Sequence, residues 1–112
     1  MASSNAPQRR QFQDVFDAIA SGWATASPGA IANNAAATVS ITVPGVAADG
    51  TWEVIAETTN ATNVSGFTFS ANVSAANTVT FVLYNSSGGS VTPTAGAKYT
   101  VVVGRLHNRF TS

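Results

Sequence analysis

The chain reads as an all-β protein, a small antiparallel β-sandwich of about five to seven strands preceded by an N-terminal arm with a short helix. Three observations predict this class. Apolar and polar residues alternate with period two through most of the chain after residue 36. Gly, Pro, Asn, Asp and Ser collect in every gap between those runs. A helix-like spacing is confined to the first twenty residues. At 112 residues the chain has the length of one domain.

Phe12, Val15, Phe16 and Ile19 stand at i, i+3, i+4 and i+7, so a helix over about 8–20 carries one apolar stripe, with Gly22 as its stop. A helix of that length is marginal alone in water and needs a partner surface. Ser21 to Ala37 is rich in Ala, Ser and Asn and contains Pro28-Gly29, which reads as an extended connector with Trp23 and Ile31 as anchors. Residues 1–36 are therefore the expected arm, 37–105 the sandwich and 106–112 a C-terminal tail.

Within the sandwich, Val39, Ile41 and Val43 alternate with Thr38, Ser40 and Thr42 before Pro44-Gly45 turns the chain. Trp52, Val54 and Ala56 oppose Glu53, Ile55 and Glu57; Phe67, Phe69, Ala71 and Val73 oppose Thr68, Ser70, Asn72 and Ser74. Val79, Phe81 and Leu83 form the next inward set, and Tyr99 to Val103 is so apolar that cover on both faces is expected. Asp49-Gly50, Ser65-Gly66, Ala76-Asn77, Ser87-Gly88-Gly89 and Pro93 to Gly96 supply the turns.

Charge is scarce. Five bases and five acids make up 9% of the residues, where soluble domains run near ~25%. A net charge of zero with no basic run beyond Arg9-Arg10 argues against nucleic-acid binding. No apolar stretch has the length of a membrane span or of a signal-peptide core, so a chain made in the cytoplasm with no membrane partner is expected. The absence of Cys removes disulfides and thiolate metal sites.

Chemistry is hard to place. Glu53 and Glu57, four positions apart on one strand, would stand about 13 Å from each other, beyond the ~5–9.5 Å of glycosidase pairs. Asp14 and Asp17 suit the first turns of the expected helix, and His107, the one histidine, has no acid or serine at motif spacing. The sequons at Asn60, Asn63, Asn72 and Asn85 follow from a composition rich in Asn, Ser and Thr. The reading is a non-enzyme with no catalytic residue, metal or cofactor. Among the aromatics, Trp52 and Tyr99 fall on core positions, which leaves Trp23 and Tyr84 for the surface, where they would serve a carbohydrate-binding alternative.

Assembly is the stronger expectation. A sandwich of about 70 residues supplies only ~3–5 kcal/mol unless disulfides, metal or oligomerisation assist. Edge strands are normally guarded by charge or Pro, yet residues 58–97 hold no charge and one proline, Pro93. The charges are also polarised, with residues 1–57 at net −3 (two bases, five acids) and 58–112 at net +3 (three bases, no acid), which suits pairing between copies.

From about Ala36 to Val103 the sequence resembles a small β-sandwich domain recurrent in virion proteins of tailed bacteriophages, including head decoration (cement) proteins and head or tail fibres. The matching residues are Val39-Ser40-Ile41-Thr42-Val43-Pro44-Gly45, Phe69 to Thr80 with its Ser74-Ala75-Ala76-Asn77-Thr78-Val79-Thr80 hairpin, Leu83-Tyr84-Asn85, Gly88-Gly89 and Val91-Thr92-Pro93. Where relatives often carry an acidic turn residue and a Trp-Arg-Val final strand, this chain has Asn77 and Lys98-Tyr99-Thr100-Val101. The resemblance implies a structural protein of the capsid surface, expected as a homotrimer that bridges major capsid protein subunits; a tail or fibre module is the alternative within the same family. In that role Arg9, Arg10, Phe12, Val15, Phe16, Ile19, Trp23 and Ile31 are the arm's expected contacts, and Arg105, His107, Arg109 and Phe110 those of the C-terminal end.

Overall fold

The computed structural model describes residues 16–106. They form six strands and no helix: β1 (Phe16–Ala26), β2 (Ala35–Thr42), β3 (Trp52–Thr59), β4 (Phe67–Ala75), β5 (Thr78–Asn85) and β6 (Ala97–Leu106). Two three-stranded antiparallel sheets, ordered β1-β6-β3 and β2-β5-β4, face each other. The expected all-β sandwich is thus found, with β6 and β5 as the central strands.

The core lies where the two inner faces meet. Ile41, Val43, Val79, Phe81 and Leu83 come from one side, Tyr99, Val101 and Val103 from the other, and all are wholly buried. The Phe81 ring meets Tyr99 edge-on at 5.2 Å between centroids and Phe69 at 5.8 Å, a spacing that favours tilted aromatic pairs. Burial pushes the Tyr99 hydroxyl pKa up, with Thr59 opposing the shift.

Turn chemistry explains how the ends of this core close. Asn77 adopts the left-handed region (φ 58°), which Asn tolerates better than most residues, and so makes the two-residue turn between β4 and β5. Its Oδ1 accepts a hydrogen bond from the Gly45 amide (2.8 Å), while its own amide donates to the Val46 carbonyl. At the other end the buried Asn85 side chain donates to the carbonyls of Ile31 and Gly89, both at 2.8 Å, and accepts from the Ser87 amide. One amide thereby joins the β1–β2 connection to the turn after β5, and its burial takes the Asn85 sequon out of reach of modification.

Three expectations need correction. The helix expected over about 8–20 does not extend across Phe16–Ala20, which are strand; residues 8–15 lie outside the described part. Ser21 to Ala26, expected as connector, continue β1, which pairs with β6 from Phe16↔Leu106 to Ala26↔Ala97. Strand wins because Ala18, Ala20, Gly22, Ala24 and Ala26 all turn toward the other sheet, so β1 needs no large apolar residue to close that side of the sandwich. Gly22 is no helix stop. A Cβ there would lie 2.5 Å from the Thr42 carbonyl oxygen and 2.8 Å from Val43, so its hydrogen is what lets β1 cross the end of β2.

The third correction concerns phase. A β-bulge between Val54 and Ala56 sets Ile55 and Ala56 together opposite Val102. Beyond it Glu57 is half-buried while Ala56 is exposed, so Glu53 and Glu57 do not share a face.

The connectivity has a further property. β2-β5-β4 and β3-β6 follow the strand order of the second to sixth strands of an immunoglobulin-type sandwich, and β1 fills the place its seventh strand would take.

Candidate interaction surface

The two sheets present different outer faces. On β1-β6-β3 the outward side chains of β1 are Ile19, Ser21, Trp23 and Thr25; those of β6 are Lys98, Thr100 and Val102; those of β3 are Glu53, Ile55, Ala56 and Thr58. Strand registers place them in rows: Ile19, Gly104 and Glu53; Ser21, Val102 and Ala56; Trp23, Thr100 and Thr58. Ile19, Trp23 and Ile55 are 49%, 58% and 40% exposed, which makes this face home to three of the four exposed large hydrophobic residues among those described. The bulge contributes directly, since a regular strand would turn only one of Ile55 and Ala56 outward.

The outer face of β2-β5-β4 is built from Thr38, Ser40, Thr42, Ser70, Asn72, Ser74 and Thr80, with Val82 and Tyr84 as its larger members and no charged side chain. Tyr84, the fourth exposed hydrophobic residue, therefore lies on the opposite side of the molecule from Trp23. These two aromatics do not form one sugar-stacking platform.

Charge is arranged along the first of these faces. At one end the Lys98 ammonium sits 4.5 Å from the centre of the Trp23 ring, within the range of a cation–π contact. At the other end stands Glu53, with Asp49 in the adjoining loop. Thr51 donates to the Asp49 carboxylate from both its hydroxyl (2.6 Å) and its amide (3.0 Å), and these bonds hold the Asp49 pKa below the ordinary value. Arg105 belongs to the inward row of β6 at that end, its guanidinium 5.8 Å from the Trp52 ring.

No family model, curated protein or solved structure matches this chain. Of the arm contacts expected from sequence, Ile19 and Trp23 are brought onto one face, and Phe16 opens the strand that carries them. Ile31 goes elsewhere: it is 4% exposed, bridges Val91 and belongs to the core. Arg105 lies at the end where the described chain begins and stops, beside the pairing of Phe16 with Leu106. Arg9, Arg10, Phe12, Val15, His107, Arg109 and Phe110 lie outside the described residues.

Sequence reasoning missed Ile55 and Val102 as members of this face. An isoleucine between two glutamates on the polar side of β3 was the available signal.

Two open hollows flank the face. One of about 250 Å³ lies between the 47–50 loop and β3 and β4, bordered by Trp52, Glu53 and Asn72. The other, about 220 Å³, is lined by Thr58, Thr59, Asn60, Lys98 and Thr100. Each has one titratable side chain in its lining, and no group of three His, Cys, Asp or Glu able to hold a metal occurs among the described residues.

Proposed function

We propose that this chain is a structural, non-enzymatic protein of a tailed-bacteriophage virion, a decoration protein that binds the outside of the assembled head and stabilises it by bridging major capsid subunits. The observation that carries the reading is where the resembling residues fall. Val39 to Gly45, Phe69 to Thr80 and Leu83 to Asn85 build β2, β4, β5 and their turns, which is one complete sheet. Of the departures, Asn77 makes the turn between β4 and β5 of that sheet, and Lys98 to Val101 lie in β6 of the other. A sheet built from the resembling residues as scaffold, with the longest departure on the other sheet, is the division expected of a module adapted to a particular shell.

Bridging needs contacts in two directions. The apolar face of β1-β6-β3 supplies one, toward a neighbouring copy. Residues 1–15, with Arg9, Arg10, Phe12 and Val15, and residues 107–112, with Arg109 and Phe110, join the sandwich at the same end, where Phe16 pairs with Leu106, and supply the other. Many copies that bind only the mature lattice stabilise it by mass action, without any one contact being strong.

The place of β1 dictates the test. Removing residues 1–36 would take a strand out of the sandwich, so the informative truncation removes 1–14. The truncated protein is expected to keep the far-ultraviolet spectrum of a β-protein and to lose capsid binding in a co-sedimentation assay. Full occupancy of capsids by the truncated form overturns the proposed role of the arm.

A further inference from the structure

We infer that the outer face of the β1-β6-β3 sheet is a self-association surface, occupied by a second copy of this chain with Lys98 of one copy against Glu53 of the next. The first ground is its centre. Ile55, Ala56 and Val102 are grouped by the bulge, with Trp23 and Ile19 beside them on β1, and Ile19, Trp23 and Ile55 stay exposed, with the Lys98 ammonium over the Trp23 ring. Apolar side chains gathered on one face, while the opposite face is almost entirely hydroxyl and amide, mark a surface to be buried.

The second ground is charge, and it selects the occupant. Among the side chains described from Ala18 onward, this face carries two charges, Lys98 at one end and Glu53 at the other. Glu53 is level with Gly104 of β6, six residues from Lys98, so about 20 Å separates the two charges in one chain. A face positive at one end, negative at the other and apolar between is complementary to itself reversed. Two copies stacked with their β6 strands antiparallel bring Lys98 to the partner's Glu53. A ring of three whose strands lie across its axis does the same. Copies stacked with parallel strands oppose Lys98 to Lys98 and Glu53 to Glu53, which disfavours that register.

Size sets the expected strength. Three strands spaced ~4.8 Å and seven residues rising ~3.3 Å each give a footprint of roughly 14 by 23 Å per copy. That is small beside the ~800 Å² each partner contributes to a standard stable complex. Association should therefore be weak in solution and become effective when copies are held near each other. The inference stands apart from the virion reading and is tested on purified protein without capsids.

The test is sedimentation equilibrium of the full chain over roughly 10 µM to 1 mM, the range in which weak association is read. Concentration-dependent dimer or trimer is expected. Ile55→Lys, which places a charge in the apolar centre, should abolish it. Lys98→Glu and Glu53→Lys should each weaken it about tenfold, and the two together should restore it; with ~20 Å between them in one chain, restoration reports contact between chains. Thr38→Lys, on the opposite face, should leave it unchanged. On the unaltered protein, backbone amide shifts on dilution should move at Trp23, Ile55 and Val102 and not across β2. A chain monomeric at the highest concentration, association indifferent to Ile55→Lys, or a double reversal no better than either single one overturns the proposal.

Discussion

The two sheets share a core and diverge on their outer sides. Beneath, they are close counterparts: β5 and β6 run through the middle, and Phe81 and Tyr99 meet across the interface. Outside, β2-β5-β4 shows hydroxyls and amides, whereas β1-β6-β3 shows Ile19, Trp23, Ile55 and Val102 between a lysine and a glutamate. The first face stays soluble without charge because Thr, Ser and Asn hydrogen-bond water and are tolerated in half-buried strands. The second concentrates what the first avoids. A chain with 9% charged residues places two of them at opposite ends of its most apolar surface, and there they act on register more than on solubility.

Several substitutions break or sharpen that contrast. Phe81→Ala attacks what the sheets share: it removes the ring packed against Phe69 and Tyr99 and should lower the unfolding free energy by about 4 kcal/mol in urea titration. Gly22→Val acts at one corner. Its side chain would collide with the Thr42 carbonyl and Val43, and a loss of about 3 kcal/mol is expected by the same measurement, with hydrogen exchange accelerated first in β1. Asn85→Ala removes one of two hydrogen bonds at the Ile31 and Gly89 carbonyls, which keep the Val91 amide and the Ser87 hydroxyl, and leaves the Ser87 amide without its acceptor, for an expected loss of about 2 kcal/mol.

Trp23→Thr makes one outer face resemble the other. Its effect on unfolding should stay within about 0.5 kcal/mol, since the ring is largely exposed, while retention on a hydrophobic-interaction column should fall. The smallest effect belongs to Asp49. Its folded-state pKa is depressed by Thr51, so its contribution to stability is present above the ordinary value of 3.8 and is lost as pH falls through the lower folded value. A slight decline in thermal midpoint below pH 4 is expected, and Asp49→Asn should remove that part of the pH dependence.

Five of the six strands were legible because period-two alternation and turn residues coincide: Val39 to Val43 and the Ala76-Asn77 turn are written in the chain and formed in the fold. β1 was not. Phe12, Val15, Phe16 and Ile19 fit a helical stripe, and the alternation that competes with it, Ala18, Ala20, Gly22, Ala24 and Ala26 against Ile19, Ser21, Trp23 and Thr25, is inverted in hydrophobicity. Small residues point inward because β1 packs closely over β2, a tertiary fact that no local pattern encodes.

The bulge was equally hidden. One extra residue on β3 exchanges the sides of Ala56 and Glu57 and brings Ile55 and Ala56 out together, and only pairing with β6 reveals it. The candidate surface was half legible. Trp23 and Ile19 were identified as contacts, but their company on β3 and β6 depends on which strands are neighbours, and Ile31, identified with them, is taken by the core.

The antiparallel pairing of Phe16 with Leu106 means that the described chain begins and stops on adjacent strands. A short hairpin joining Leu106 to Phe16 would close the backbone into a ring. Reopening it in the 27–34 connection would give a circular permutant running β2 to β6 and then β1, which is the full strand sequence from the second to the seventh strand of an immunoglobulin-type sandwich. The two architectures differ by where the ring is cut.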